Sequence, residues 1–142
     1  MALTLFIVKP DAVGRRLTGK ILAKVEEAGF AIREMAMTEL SPAEAERFYA
    51  VHQERPFFAD LCRFMTSGPC VPCLLEGGTD AIERLRALMG ATDSKEAATG
   101  TIRREFGIDK QSNAVHGSDG PDTARAEIAF FRAKLGWRSP AA

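Results

Sequence analysis

The hydrophobic pattern changes period several times along the chain, and each change marks an element. Leu3 to Val8 is a short run of leucine, aromatic and β-branched residues stopped by Pro10, which predicts a buried strand. Ile21, Leu22, Val25 and Ala28 then recur at helical spacing, with Lys20, Lys24 and Glu27 outside, Thr18 placed to cap the helix and Gly29 to end it. From Phe30 to Thr38 the alternation slips across Arg33 and Glu34 before Met35 and Met37 resume, as in a bulged strand. Ser41 and Glu44 have capping-box spacing with Pro42 at the first helical position, predicting a helix to about Val51.

Arg55-Pro56 is an extended step into a helix that runs to Phe64, burying Phe58, Leu61 and Cys62 or Met65. Gly68-Pro69 breaks it. Cys70 to Leu75 has the length and composition of a strand, and Pro72 within it points to an edge position or a bulge. Asp80 and Glu83 repeat the capping-box spacing ahead of Ile82, Leu85, Leu88 and Met89, a helix ended by Gly90. A loop from Ala91 to Gly100, one helical turn from Thr101 to Phe106 and a short strand at Ala114 to His116 follow. Pro121 opens a last helix carrying Ala124, Ile128 and Phe131 inward. No repeat or linker divides the pattern, so residues 1–142 are expected to form one domain. The order of elements suits an α+β ferredoxin-like sandwich, βαββαβ, with a four-stranded antiparallel sheet backed by helices.

With 46% hydrophobic and 27% charged residues, the chain has material for one core of ordinary size. Nineteen basic residues cancel nineteen acidic ones, so no global field draws it to nucleic acid or an anionic membrane. Any anion site must be local. No stretch approaches the roughly 20 apolar residues of a membrane span, and the first ten residues lack the charged start and cleavage site of a secretory leader. Cys62, Cys70 and Cys73 are too sparse a set for a secreted disulfide framework, so a cytoplasmic location is expected.

Two motifs suggest chemistry that their surroundings do not support. Cys70-x-x-Cys73 has no second pair to complete a zinc site, and two buried thiols are the expectation. Gly14 to Lys20 fits G-x-x-x-x-G-K, but Ile21 stands where a P-loop needs Ser or Thr for magnesium, and Lys9 to Val13 separate it from the strand.

Asn113-Ala-Val-His116-Gly-Ser118-Asp119 is more informative. It sets a histidine at a strand end, with Gly117 and Gly120 giving room for a backbone and a bulky ligand to approach. An ordinary imidazole pKa of about 6.5 leaves much of the ring uncharged and nucleophilic at neutral pH. Ser118 and Glu127 can reach toward its other nitrogen, but taken by itself Glu127, six residues into the last helix from Pro121, reads as a solvated helix charge. A histidine attacking a polyphosphate needs cations placed in advance. Arg86, Arg103 and Lys9 are the candidates: Arg103 sits where a short helix begins, and Lys9 at the end of the first strand.

These residues resemble the nucleoside diphosphate kinase family from the first strand to the last helix. Asn113 to Asp119 is similar to the family's active-site signature, Phe6-Ile-Val-Lys9-Pro-Asp11 to its first-strand motif, and Tyr49 with Arg55-Pro-Phe57-Phe58 to its nucleotide-clamping segment. Ser67-Gly68-Pro69 and Gly100-Thr101-Ile102-Arg103 match as well. The resemblance implies that His116 accepts the phosphate and that Lys9, Arg86, Thr92, Arg103 and Asn113 bind phosphates and ribose. It also implies that Phe57 stacks on the base, Arg55 contacts phosphate, Tyr49 lies near the histidine, and Ser118 and Glu127 hold it. Magnesium is implied to travel with the nucleotide, with no dedicated protein site for the metal. Nucleoside di- and triphosphates are the implied partners, exchanged in a ping-pong reaction. A tetramer or hexamer built from dimers is implied too, with no membrane and no obligatory nucleic acid.

Departures from the family pattern are few. Gly120 stands where Ser is usual at the last helix's cap, Thr99 replaces a common Pro, and the tail around Trp137 is atypical. The rival reading is a catalytically silent relative acting as a nucleic-acid-binding or regulatory module. Zero net charge and a complete set of catalytic residues count against it.

Overall fold

Four strands and seven α-helices form among residues 2–138, the residues described in the computed structural model. In chain order they are β1 (Leu3–Val8), α1 (Pro10–Gly14), α2 (Thr18–Glu27), β2 (Ala31–Met35), α3 (Pro42–Phe48), α4 (Phe58–Met65), β3 (Val71–Glu76), α5 (Ala81–Met89), α6 (Ile102–Phe106), β4 (Val115–Gly117) and α7 (Pro121–Leu135). The strands lie in the order β2-β3-β1-β4, every neighbour antiparallel, which is the expected ferredoxin-like sheet.

β1 is buried along its whole length, and a strand buried on both sides requires a cover on each face of the sheet. Leu3, Leu5 and Ile7 pack with Ala45 of α3, Met65 of α4 and Ile128 and Phe131 of α7. Phe6 and Val8 point the other way, to Ile21 and Val25 of α2 and Leu85 and Met89 of α5. Several local readings hold. The register of β2 against β3 shifts between Ile32 and Glu34, where the pattern slipped. Ser41 Oγ accepts from Glu44 N–H while the Glu44 carboxylate accepts from Ser41 N–H, a complete capping box. Gly90, at φ +90, ends α5.

Elsewhere the structure departs from the sequence pattern. Pro72 lies in a central strand between β2 and β1. Its carbonyl accepts from Ala36 N–H, so its imide nitrogen faces the same side, just past the end of β2. The N–H it lacks would have bonded where β2 has already stopped, and pairing resumes at the Thr38–Cys70 bridge. Thr18 is the first residue of α2 and not its cap, because α1 and a tight turn deliver the chain into the helix at Leu17. α1 itself was absent from the sequence reading, since five residues are too few to show a period. Asp80 is the N-cap residue of α5, but its side chain makes no capping bond and instead faces Arg84 at 3.9 Å. α3 stops at Phe48, and Ala50–His52 continues as a 3₁₀ turn.

Cys70 belongs to the core on the α7 side and Cys73 to the core on the α2 side, because residues three apart on a strand point to opposite faces. The sheet stands between the two thiols. Burial pushes them up to about 11 and about 12, so both stay protonated. Trp137 is buried beside Phe131, ring centroids 6.0 Å apart, and ties the chain after α7 to the core.

Candidate active site

β4 is an edge strand, and its register sets His116 opposite Ile7. The His116 ring therefore shares a face with Ile7 and, two residues on, with Lys9. On that face α7 crosses the sheet, and Glu127 lies on its buried side with Ala124, Ile128 and Phe131. The Glu127 carboxylate oxygens stand 3.0 and 3.1 Å from His116 Nε2, and Ser118 Oγ donates to the same carboxylate at 2.7 Å. A carboxylate at Nε2 holds the proton on that nitrogen and leaves Nδ1 with its lone pair. Glu127 is buried, whereas the histidine side chain keeps 24% of its surface open.

Two aromatic rings fix the imidazole from the side. Tyr49 meets it edge-on with centroids 6.2 Å apart, and Phe48, absent from the sequence reading, meets it at 5.6 Å. Burial, then the charge of Glu127, raises the Tyr49 hydroxyl well above its ordinary range, so it stays protonated.

The cations gather around this strand. Lys9 is 6% exposed, and its Nζ donates to Asn113 Oδ1 at 2.8 Å and the Gln111 carbonyl at 2.9 Å, 5.1 Å from the Phe64 ring centre. Asn113 Nδ2 in turn donates to the carbonyls of Thr92 and Lys110, both at 2.9 Å. Burial lowers Lys9 to about 8, Asp11 partly opposes that and Arg103 adds to it. Arg103 is buried, with its guanidinium on the carbonyls of Gly90 (3.0 Å) and Val115 (2.9 Å). Burial, then neighbouring Arg86, lowers it to about 10, so it stays charged at neutral pH. Arg86 reaches the Gly117 carbonyl at 3.4 Å. The carbonyls on either side of His116, pointing away from β1, thus each hold an arginine.

The approach to His116 is strained. Ala114 has φ +75, and Val115 N–H donates to the Asn113 carbonyl at 2.9 Å, closing a γ-turn of the rare positive-φ kind. Such a conformation costs a non-glycine residue roughly 1–3 kcal/mol and persists only where the surroundings enforce it. Here Ala114 N–H donates to Asp11 Oδ2 at 3.1 Å and Lys9 N–H donates to the Ala114 carbonyl at 2.8 Å.

The structure therefore brings together His116, Ser118, Glu127, Tyr49, Lys9, Asn113, Arg103, Arg86 and the backbone of Thr92. Arg55 and Phe57 are exposed and make no hydrogen bond, ion pair or ring contact with that group among the described residues; the Phe57 ring, 48% exposed, leans on His52 at 5.5 Å. The reading of Gly117 and Gly120 as room for a ligand is not carried by the geometry. A Cβ on Gly117 would meet the Met89 sulfur at 2.5 Å, so this glycine serves helix packing, and one on Gly120 would meet nothing within 4 Å. Among the described residues no helix is long and apolar enough to cross a membrane, and no three His, Cys, Asp or Glu side chains gather to hold a metal.

Comparison with known proteins agrees with the geometry. The family profile described as Nucleoside diphosphate kinase matches residues 2–135. The nucleoside diphosphate kinase of Desulfatibacillum aliphaticivorans is 57% identical over 131 residues, 92% of this chain and 94% of its own. Among solved structures, the Aquifex aeolicus nucleoside diphosphate kinase superposes with a TM-score of 0.89 at 49% identity, covering 91% of this chain and 93% of that one. A halophilic nucleoside diphosphate kinase from Halobacterium salinarum in complex with CDP gives 0.87 at 41% identity, covering 92% and 86%.

Proposed function

The chain belongs to the nucleoside diphosphate kinase family and moves a terminal phosphate between nucleotides by a ping-pong route; on that premise we propose that His116 carries the phosphate between the half-reactions. The observation that carries this is the pinned imidazole: Nε2 on Glu127, Nδ1 without a hydrogen bond among the described residues, and cations on the strand around it. In the first half-reaction Nδ1 forms the N–P bond as the bond from the γ-phosphorus to the bridging oxygen breaks, and the diphosphate leaves. In the second, a terminal oxygen of another diphosphate attacks that phosphorus and the imidazole departs.

Phosphorylation makes the ring cationic, and Glu127 is already in place to balance it. Lys9, Arg103 and Arg86 are proposed to hold the phosphates, Asn113 and Thr92 the ribose and phosphates, and Arg55 a further phosphate oxygen. Phe57, with its exposed ring, is proposed as the base platform; every base has a π-face, so stacking suits an enzyme serving all nucleotides. Magnesium is proposed to arrive as part of the substrate, on the nucleotide's phosphates. A homo-oligomer built from dimers is proposed as well, supported by the edge position of β2 and the exposure of Met35 and Met37 beside it. The proposed location is the cytoplasm.

The test is incubation with ATP labelled on the γ-phosphate. The native protein is expected to take up label that survives base and is lost in acid, as phosphohistidine does, and to pass it to an added diphosphate. His116→Ala is expected to take up none while keeping its fold. Label retained by His116→Ala would overturn the assignment.

A further inference from the structure

We propose that Asp11 is a positioning residue for phosphotransfer, holding the strained turn that presents His116 between its cations. This rests on the reading of His116 as phosphate acceptor. Asp11 lies in the first turn of α1, two residues after Lys9, and its carboxylate side chain is 8% exposed. One oxygen, Oδ2, takes the Ala114 N–H at 3.1 Å and lies 3.5 Å from Arg15 Nη2. The other, Oδ1, is buried and makes no hydrogen bond among the described residues. A buried carboxylate with an idle oxygen is a poor stabilising device, and such a group calls for a reason other than stability.

Position supplies the reason. Ala114 is the middle residue of the γ-turn, two residues before His116 and one after Asn113, whose amide oxygen holds Lys9 Nζ. Asp11 on one side and the Lys9 N–H on the other clamp the two ends of the Ala114 residue. The clamp therefore fixes Lys9, Asn113 and His116 relative to one another. Without it the left-handed φ of an alanine has no side chain to enforce it, and the turn relaxes. Lys9 and His116 then part, although neither is altered. Asp11 also sets a negative charge near Lys9 that opposes the effect of burial.

The experiment compares Asp11→Ala and Asp11→Asn with the native enzyme, measuring γ-phosphate label uptake, then kcat and KM. Native label uptake on His116 comes first: its absence would fell the reading of His116, whereas its presence with unaltered Asp11 variants would fell this proposal alone. Because a small displacement of reacting groups is costly, Asp11→Ala is expected to lower kcat about 10- to 100-fold with KM changed less than about threefold. Asp11→Asn, which keeps an acceptor for Ala114 N–H, is expected to recover most of kcat. An alanine variant as fast as the native enzyme, or an asparagine variant no better than alanine, would overturn the role. Should Asp11→Ala fail to fold, Ala114→Gly in the same chain decides, since glycine adopts the φ without a clamp. A restored fold supports the assignment, and a chain still unfolded would place Asp11 in general stability and overturn it.

Discussion

Glu127 gives the most exacting test of how the histidine is activated. Its two oxygens at 3.0 and 3.1 Å from Nε2 make a charge-assisted contact, of the kind worth roughly 1.5–3 kcal/mol. On the proposed role of His116 the imidazole gains positive charge as the N–P bond forms, so the contact is stronger in the transition state than before it. Losing the charge should slow phosphorylation by about 10- to 150-fold, at about 1.36 kcal/mol per factor of ten. Glu127→Gln is the appropriate change: it keeps the shape, leaves an acceptor for Ser118, and avoids a cavity beside Ile128. If the amide turns its NH₂ to Nε2 instead, the ring proton moves to Nδ1 and the nucleophile is blocked, so the rate falls either way. The melting temperature should hold, since the substitution removes a largely buried charge. Rapid-quench measurement of a single turnover with labelled ATP isolates the step. A Gln variant phosphorylated at the native rate would refute the argument and leave Glu127 a packing residue.

Three further outcomes are expected. Phe57→Ala should raise KM for all nucleotides about 5- to 150-fold, the equivalent of a lost stack of about 1–3 kcal/mol, with little change in melting temperature; steady-state kinetics and calorimetry check it, and a large drop in melting temperature at unaltered KM would return the ring to the core. Lys9, lowered from 10.5 to about 8, should give kcat/KM an alkaline fall near that pH, which Lys9→Arg removes. Between about 8 and 10.5 the unfolded chain binds more protons at this residue than the folded one, so its contribution to stability should rise with pH while activity falls. Replacing Cys70 and Cys73 with Ser should leave turnover intact and, at most, lower the melting temperature, since the two thiols face opposite cores.

What was legible in the sequence was what repeats or stands at a fixed local offset. α2, α5 and α7 show a helical period, β1 an apolar run, and Ser41 with Glu44 a box that depends on three residues of spacing alone. His116 and Ser118 were legible from the strand and turn that carry them, whereas Glu127 by itself reads as a solvated helix charge and only the family resemblance set it against the ring. Asp11 was not legible as part of that site: its contact to Ala114 spans 103 positions, and only the pairing of β1 with β4 brings the two together. Phe48 is equally silent, since an aromatic beside Tyr49 shows nothing of the ring it will meet. Pro72 misled for a physical reason. A proline is excluded from a central strand only where its missing N–H faces a partner, and β2 ends just short of it.

Zero net charge and the proposed polyphosphate site are compatible because of how the cations are partnered. Elsewhere basic side chains meet carboxylates, as in Arg33 with Glu76, Lys24 with Glu105 and Lys134 with Glu44. Around β4 they do not. Lys9, Arg86 and Arg103 donate to carbonyls and to one amide oxygen, and among the described residues none of the three has a carboxylate within ion-pairing distance. Neutral acceptors orient a cation without cancelling its charge, so the local field survives in a chain whose total is zero. Burial strengthens that field, and it also makes the charges costly to keep, which is why Lys9 and Arg103 are both lowered. On the role proposed for these side chains, an anionic substrate would relieve that cost on arrival. The phosphate affinity proposed for this site would then follow from the same desolvation that lowers Lys9 and Arg103.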